Sequence, residues 1–301
     1  MSIKVAKYTF GSWLRKGIGG RIITVDNLGS GAASGALRSD VKIEVNVNDH
    51  PQPKIFQLLG PGDIIGINPA MVVRTEPLNW ISNFEPNYLP FIEFYDEDFL
   101  WRYTPANANG DKLRPWLSLI VLKEGEQPGT GEFTFNEKKL PLPSVTVKSA
   151  HTLPPANQVW AWSHVHVNEG HDSTTEFEAF LKTLTDLDNE NSDKIIGRLM
   201  CPRKLESNTA YRAFLIPTFE TGRLSGLGLD NSVIDAQQAS WNGSSNNIEF
   251  PVYYHWFFKT GDNQDFESLV KILEPRIMDS RLGIRDMDGS SPGFGLTEGT
   301  D

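Results

Sequence analysis

Residues 83–123 read NFEPNYLPFIEFYDEDFLWRYTPANANGDKLRPWLSLIVLK and hold the densest apolar and aromatic content of the chain. The stretch ends in the run WLSLIVL (Trp116–Leu122), which is short, apolar and bounded by Arg114-Pro115 and by Lys123-Glu124-Gly125. This pattern predicts a buried central strand. A large aromatic side chain removes about 150–250 Å² from water when buried. We therefore expect this stretch to dominate the core.

The composition is that of a globular protein with a full core, because 39% of the 301 residues are hydrophobic and 22% are charged. The formal net charge is −10. A nucleic-acid partner requires a surplus of Lys and Arg on one face, and the sequence shows no basic cluster of that kind. The charge therefore argues against nucleic-acid binding.

Cys201 is the only cysteine, which excludes an intrachain disulfide and a thiolate metal cage. A single thiol suits synthesis and assembly in a reducing cytoplasm. The first 20 residues lack the apolar segment of a signal peptide, and no apolar run approaches the roughly 20 residues that span a bilayer. We expect no direct membrane insertion, and export only by a route other than a signal peptide.

Outward from the central run, the periodicity predicts an α+β fold: a β-rich body of mostly antiparallel strands with a few short helices and extended terminal arms. Residues 41–48 alternate strictly, which predicts one buried and one solvated face. The predicted strands are residues 21–27, 41–48, a strand from Lys54, residues 64–67, 116–122, 132–135, 144–148, 158–168, 210–219 and 248–259.

Predicted helices begin at Ser173, where Ser173 and Glu176 form a capping-box pattern, and cover residues 192–200, 231–241 and 265–273. We divide the chain into an arm at 1–20, the β-rich body at 21–275 and an extended or disordered arm at 276–301. The first arm either docks on a neighbouring subunit or packs on its own domain, and the sequence leaves both alternatives open.

The one cluster with metal-ligand potential consists of His164, His166, His171 and Asp172, since two histidines at i and i+2 of a strand point to one face. The pattern departs from the cupin type, because Glu169 follows too soon and the upstream glycine is missing. Trp160 and Trp162 are predicted to share this strand face. A packed aromatic surface is therefore favoured over a metal site, and a carbohydrate-binding face is a further alternative.

No catalytic constellation emerges from the remaining residues. The sequence has no G-x-S-x-G elbow, and Cys201 precedes Pro202 without a nucleophile signature. The acidic run Asp96-Glu97-Asp98 is typical of a solvated turn or a subunit contact. We predict no catalytic residue and no cofactor.

The aromatic residues exceed what one core obviously needs, with eight Trp and 17 Phe distributed over the predicted strands and both arms. Aromatic side chains are enriched in protein interfaces, where they anchor in desolvated pockets. The candidates for such contacts are Phe10, Trp13, Trp160, Trp162 and Phe294.

Several segments carry a resemblance that covers most of the chain from about Leu58 to Asp288. They are LLGPGDIIGINPAMVVRTEP, NFEPNYLPFIEFYDEDFLWRYTPA, LRPWLSLIVL, GRLMCPRKLESNTAYRAFLIPTFETGRLSGLG and FPVYYHWFFKTGDNQDFESLVKILEPR. Together they resemble a family of bacterial proteins encoded beside phage-tail-like extracellular contractile injection systems.

The resemblance implies a structural subunit in a symmetric ring of its own copies, sixfold or threefold, in contact with sheath, tube or terminator subunits. A cap adaptor between the tail terminator and the sheath–tube trunk is the first expectation, and a baseplate or accessory shell component is the second. The resemblance implies assembly in the cytoplasm and a final place in a particle that can be extracellular. A β-rich metal-dependent enzyme using His164 and His166 is the rival class.

Overall fold

A computed structural model describes residues 9–11, 22, 38–48, 50–107, 112–127, 129–167, 195–262, 270 and 273. The chain divides into a compact unit of residues 1–263, which holds every described strand, and a second unit of residues 264–301. The predicted arm boundaries at residues 20 and 275 stay predictions, and the predicted helix from Ser173 lies outside the described residues. Of the predicted helix at 265–273, only Val270 and Leu273 are described.

The fold class is confirmed, because the described residues are β-rich and every pairing of two strands among them is antiparallel. The strands are β1 (Thr9–Gly11), β2 (Asp40–Val47), β3 (His50–Gln57), β4 (Val72–Glu76), β5 (Phe91–Phe94), β6 (Leu117–Lys123), β7 (Phe133–Asn136), β8 (Ser144–Ser149), β9 (Ser163–Val167), β10 (Ile195–Met200), β11 (Ala210–Pro217), β12 (Asn246–Pro251) and β13 (Tyr254–Lys259).

Four sheets are formed by these strands. A five-stranded sheet has the order β1-β9-β10-β5-β4, and two three-stranded sheets have the orders β13-β11-β6 and β12-β8-β7. The fourth sheet is the two-stranded hairpin β2-β3. The sheet β13-β11-β6 is the middle layer, because its two faces contribute to different hydrophobic cores.

The middle layer explains why the run at 117–122 is apolar without alternation. Leu119 and Val121 belong to the core shared with the five-stranded sheet, which we call the first core. Ile120 and Leu122 belong to the core shared with β7, β8 and β12, which we call the second core. A strand that is buried on both faces needs apolar side chains at successive positions. The prediction of a buried strand is confirmed, although β6 lies at the edge of its own sheet and β11 is central.

Trp116 lies in the first core, as the aromatic content of residues 83–123 predicts. Its ring centroid is 5.7 Å from that of Phe99, 5.1 Å from that of Tyr103 and 5.9 Å from that of Tyr253. Its indole Nε1 donates a 2.7 Å hydrogen bond to the carbonyl oxygen of Phe99. Phe99 and Tyr103 therefore pack edge to face, and Tyr253 packs at a tilt, around an indole whose polar atom is satisfied.

The described residues contain the α-helix α1 (Glu220–Gly226), which the sequence did not predict. Its glycines allow the helix to approach two prolines closely. A Cβ on Gly222 would lie 2.8 Å from the Cβ of Pro61, and a Cβ on Gly226 would lie 2.6 Å from the Cβ of Pro251. Two glycines in seven residues lower helix propensity, so tertiary packing stabilises this helix.

Two helix predictions are wrong. Residues 195–200 form β10, which pairs with β9 on one side and β5 on the other. Residues 231–241 form successive turns in place of a helix. In them the Ile234 amide donates to the Asn231 carbonyl, and the Gln238 amide donates to the Asp235 carbonyl.

Three strand predictions also need correction. Residues 159–162 form a 3-10 turn, and the strand begins only at Ser163. Residues 64–67 form no strand, although Ile64 and Ile67 pack against the first core. The segment 248–259 breaks at residues 252–253 into β12 and β13, because Val252 packs in the second core and Tyr253 in the first.

None of the helices among the described residues is long and apolar enough to cross a membrane.

Candidate functional site: two exposed apolar surfaces

The hairpin β2–β3 has one apolar face that is exposed towards its tip. The register places Val41 opposite Phe56, Ile43 opposite Lys54, Val45 opposite Gln52 and Val47 opposite His50. Residues directly opposite each other share a face, so these eight form what we call the hairpin face. Val41 is buried, but Val45, Phe56 and Val47 are 44%, 47% and 54% exposed. The predicted buried face is therefore wrong beyond the root of the hairpin.

The root of the hairpin is fixed to the body by hydrogen bonds. The Leu58 amide donates to the Ser39 carbonyl at 2.9 Å, and Ser39 Oγ donates to the Pro105 carbonyl at 2.6 Å. Ile22 forms an isolated antiparallel bridge with Val41. All eight residues of β3 are nonetheless exposed. A two-stranded ribbon is marginal on its own, so an attached root with an uncovered face is typical of a segment that is completed by a partner.

The outer edge of β3 is closed to further strands by its prolines. Pro51 and Pro53 have no amide hydrogen, and within a paired strand they are tolerated where that hydrogen would point away from the neighbouring strand. They therefore remove two donors from the free edge. Proline on an edge strand prevents edge-to-edge pairing, so a partner would contact this hairpin by its face.

The second apolar surface is formed around Trp80. The indole is 72% exposed, and the residue has φ +66°, a left-handed conformation that is strained for a side chain of this size. Leu78 and Tyr88 are also exposed. We call residues 76–88, together with Phe257, the Trp80 surface.

The sequence around Trp80 is held in place by the edge of β13. The Trp80 amide donates a 2.7 Å hydrogen bond to the Phe257 carbonyl, and the Phe257 amide donates to Asn79 Oδ1 at 3.0 Å. The ring centroids of Trp80 and Phe257 are 4.8 Å apart. Backbone hydrogen bonds thus fix an exposed tryptophan in a strained conformation, which is expected where the side chain has an external role.

A row of charged residues crosses the five-stranded sheet. Glu93 on β5 is 2% exposed and forms ion pairs with Arg74 on β4 and Arg198 on β10. The Arg74 Nε–Glu93 Oε2 distance is 2.8 Å, and the two guanidinium groups lie 5.2 Å and 4.6 Å from the centroid of the Phe91 ring. The buried carboxylate is thus matched by cations on both neighbouring strands.

His164 and His166 occupy β9 at the end of this row. His164 lies opposite Arg198, and burial followed by the Arg198 charge lowers the pKa of His164. His166 is buried, opposite Ile196 on one side and Phe10 of β1 on the other. Among the described residues no three His, Cys, Asp or Glu side chains form a group that could hold a metal. His171 and Asp172 lie outside the described residues.

The structure places the described members of the predicted interface aromatics in different elements. Trp160 and Trp162 lie in the 3-10 turn preceding β9 and are half-buried, and the Lys112 ammonium lies 4.8 Å from the centroid of the Trp160 ring. They are therefore off the strand that carries the histidines. Phe10 lies on β1, so this part of the arm pairs with its own domain. Trp13 and Phe294 lie outside the described residues.

A cleft of about 740 Å³ opens beside the second core. Its wall holds Arg223, whose Nε donates to Glu220 Oε2 at 2.7 Å and whose Nη1 donates to the Glu249 carbonyl at 3.0 Å. Trp241 Nε1 donates to the Pro154 carbonyl at 2.9 Å. These polar groups are engaged in holding the walls together, and among the described residues that line the cleft no nucleophile is paired with a base.

Cys201 is buried. Burial raises the pKa of its thiol to about 11, so the thiol stays protonated and unreactive at neutral pH. The acidic run at 96–98 also lies where the prediction placed it, in a turn in which Asp96 and Asp98 both pair with Arg102.

Sequence reasoning did not predict that either apolar surface is exposed. The signal for the hairpin was the segment HPQPKIFQ, since two prolines in a strand indicate an edge. No local pattern marked Trp80, because its exposure depends on the position of β13.

Comparison with protein-family models, with curated proteins and with solved structures found no match to this chain.

Proposed function

We propose that this chain is a non-enzymatic structural subunit of a phage-tail-like contractile injection particle. The role that the resemblance favours is a cap adaptor linking the tail terminator to the sheath–tube trunk. The observation that carries the proposal is the hairpin β2–β3, which is attached to the body at its root and presents an apolar face that the described residues leave exposed. An uncovered apolar face marks a surface that is buried against another protein.

The Trp80 surface supports the same proposal independently. Interface hot spots are enriched in tryptophan and tyrosine, and they lie in regions that partners desolvate. Trp80 is fixed by its neighbours before any partner arrives, because its amide and the Phe257 amide are both engaged. A pre-organised aromatic anchor loses little conformational entropy on binding.

Electron microscopy of particles from a strain that lacks this gene tests the proposal. We expect particles with a defective terminus and an altered length distribution or reduced stability, restored by a plasmid copy of the gene. A defect confined to the cap end supports the cap adaptor, and a defect at the opposite end assigns the chain to the baseplate. Particles of normal length, cap and stability would contradict a structural role.

A further inference from the structure

The turn that precedes β12 carries an Asn-Gly pair. The sequence has two such pairs, Asn109-Gly110 and Asn242-Gly243, and the structure describes the second. We propose that Asn242 is a site of spontaneous covalent modification, at which the folded turn promotes conversion of the asparagine to aspartate and isoaspartate. The inference goes beyond the proposed structural role and does not depend on it.

The backbone nitrogen of Gly243 is placed to act as the nucleophile. Gly243 is exposed, a Cβ at this residue would have nothing within 4 Å, and its amide hydrogen donates to no backbone group in the described part of the chain. The Ser244 amide donates to Asn242 Oδ1 at 3.1 Å, so the carboxamide folds back over the peptide unit between these two residues. That peptide unit contains the Gly243 nitrogen. The turn therefore holds the electrophile beside the atom that attacks it.

Three donors converge on the oxygen at which negative charge develops during this attack. Asn242 Oδ1 accepts from the Ser244 amide at 3.1 Å, from Ser244 Oγ at 2.8 Å and from Ser245 Oγ at 3.1 Å. Donors at such distances stabilise a tetrahedral oxyanion more than they stabilise the carbonyl oxygen from which it forms. The Ser245 amide also donates to the Asn242 carbonyl at 3.2 Å, which closes the turn around the carboxamide. The donors are thus in position before the attack begins.

The conversion consumes one water molecule and releases one ammonia. Hydroxide removes the Gly243 amide proton, the nitrogen forms a bond to Asn242 Cγ, and the electron pair of the carbonyl moves to Oδ1. The carbonyl then re-forms as Nδ2 takes up a proton and leaves as ammonia, which gives a five-membered succinimide. Water adds to either ring carbonyl. Cleavage of the bond from the ring nitrogen to Cγ gives aspartate, and cleavage of the bond to the main-chain carbonyl carbon gives isoaspartate.

The modification would change the wall of the cleft beside the second core, because this turn forms part of that wall. Both products add a carboxylate there. The two ends of the turn are attached to one neighbouring segment, since Trp241 Nε1 donates to the Pro154 carbonyl and the Ala150 amide donates to the Ser245 carbonyl, each at 2.9 Å. Isoaspartate lengthens the backbone between these attachments by one carbon atom. We therefore expect the isoaspartyl form to melt at a lower temperature than the unmodified protein.

Ageing of the purified full-length protein in ¹⁸O-labelled water, followed by peptide mapping, tests the inference. Conversion in labelled water adds about 3 Da to the peptide that contains Asn242, against about 1 Da in ordinary water. Electron-transfer fragmentation distinguishes isoaspartate, which forms only through the succinimide, from aspartate. A synthetic peptide of residues 241–247 has the same sequence without the fold. We expect Asn242 in the folded protein to convert at least as fast as in this peptide.

Variants of the turn separate the effect of its donors from that of its sequence. Ser244→Ala/Ser245→Ala removes both hydroxyl donors and should slow the conversion roughly tenfold, less than in a buried oxyanion hole because water can replace a donor at an exposed site. Ser244→Ala alone, at an exposed position, should slow it less and is measured if the double variant fails to fold. Ser232→Ala, at an exposed position outside the turn, is the control and should leave the rate unchanged.

The inference is overturned if Asn242 stays intact in the folded protein while the free peptide converts. It is also overturned if the double variant converts as fast as the wild-type protein or faster, since the hydrogen bonds of the turn would then protect Asn242. Neither result bears on the particle. Normal particles from the deletion strain would remove the structural role and leave this inference unaffected.

Discussion

The Trp80 ring packs against Phe257 in a tilted arrangement, with ring centroids 4.8 Å apart, while the Trp80 backbone lies in the left-handed region. For a residue with a Cβ, that region costs roughly 1–2 kcal/mol. The chain accepts this cost at a side chain that is mostly exposed to water. A position that is strained and exposed contributes little to folding, and we therefore propose that Trp80 serves in contact with a partner.

The strain at Trp80 predicts an unusual order of stability among its variants. Trp80→Gly should be more stable than Trp80→Ala by about 1 kcal/mol, because glycine adopts positive φ without penalty whereas alanine does not. Both variants lose the ring contact with Phe257 equally. Urea denaturation measures the difference. A Trp80→Ala variant that is more stable than Trp80→Gly would show that the left-handed conformation is not present in solution.

The paired cations of Glu93 are predicted to contribute unequally to stability. Arg198→Met should lower the free energy of unfolding by about 3–5 kcal/mol. The arginine side chain is largely buried, and its loss leaves the buried Glu93 carboxylate without its more buried cation. Arg74→Met, at a half-exposed side chain, should cost about 1 kcal/mol or less. Chemical denaturation of the two variants tests this order, and equal losses would contradict it.

Replacing Gly226, at the end of α1, is predicted to destabilise the protein. In Gly226→Ala the new methyl group would meet both Cβ and Cγ of Pro251 at 2.6 Å, and the proline ring cannot rotate away. Overpacking of this kind costs about 1–3 kcal/mol. Gly243→Ala is the matched control, since nothing lies within 4 Å of its Cβ position. Thermal unfolding should separate the two, and similar melting temperatures would contradict the packing of α1 on Pro251.

Stability is predicted to fall on mild acidification, in part through His255. Burial against Phe135 and Phe214, followed by the Arg212 charge, lowers the pKa of His255, and Glu137 opposes this shift. The unfolded chain, with a histidine pKa of about 6.5, then binds a proton more readily than the folded protein. The stabilisation is present above that pH and is lost as pH falls towards the folded value.

Denaturation between about pH 7.5 and 5 tests this sign, since the titration is centred near the ordinary histidine pKa. His255→Gln should reduce the dependence on pH. His50→Gln, at an exposed position of the hairpin, is the control and should leave the dependence unchanged. A wild-type protein that gains stability on acidification would contradict the burial of His255.

The most apolar strands could be predicted from the sequence because burial on both faces gives them continuous apolar runs. Leu117–Lys123 and Ala210–Pro217 are buried between two cores, and continuous apolar runs of this length seldom form other structures. The predicted strands at 132–135 and 144–148 are also confirmed as β7 and β8, with boundaries within two residues.

The wrong predictions arose where tertiary contacts overrule local propensity. The segment at 195–200 became a strand because β5 and β9 pair with it on both sides, which no local pattern reveals. At 158–168 the alternation of Val159, Val165 and Val167 is real, but Val159 packs in the second core and the valines of β9 pack in the first. The chain crosses between cores through the 3-10 turn.

The exposure of the two candidate surfaces also depends on tertiary contacts that the local sequence does not reveal. The alternation at 41–48 correctly identified an apolar face but could not show that burial falls from Val41 through the half-buried Ile43 to the exposed Val45 and Val47. The apolar pattern of a single strand does not show which of its positions the rest of the protein covers. The exposure of Trp80 likewise follows from the pairing of its segment with β13, which lies more than 170 residues away in sequence.

Quantitative mass spectrometry of gradient-purified particles tests the central claim most directly. If this chain is a structural subunit, it co-sediments with intact particles at a constant small ratio to the terminator protein, and the Val47→Asp form is lost from them or strongly depleted. If purified particles lack this chain, or contain it in amounts that vary between preparations and do not respond to Val47→Asp, the structural role is contradicted.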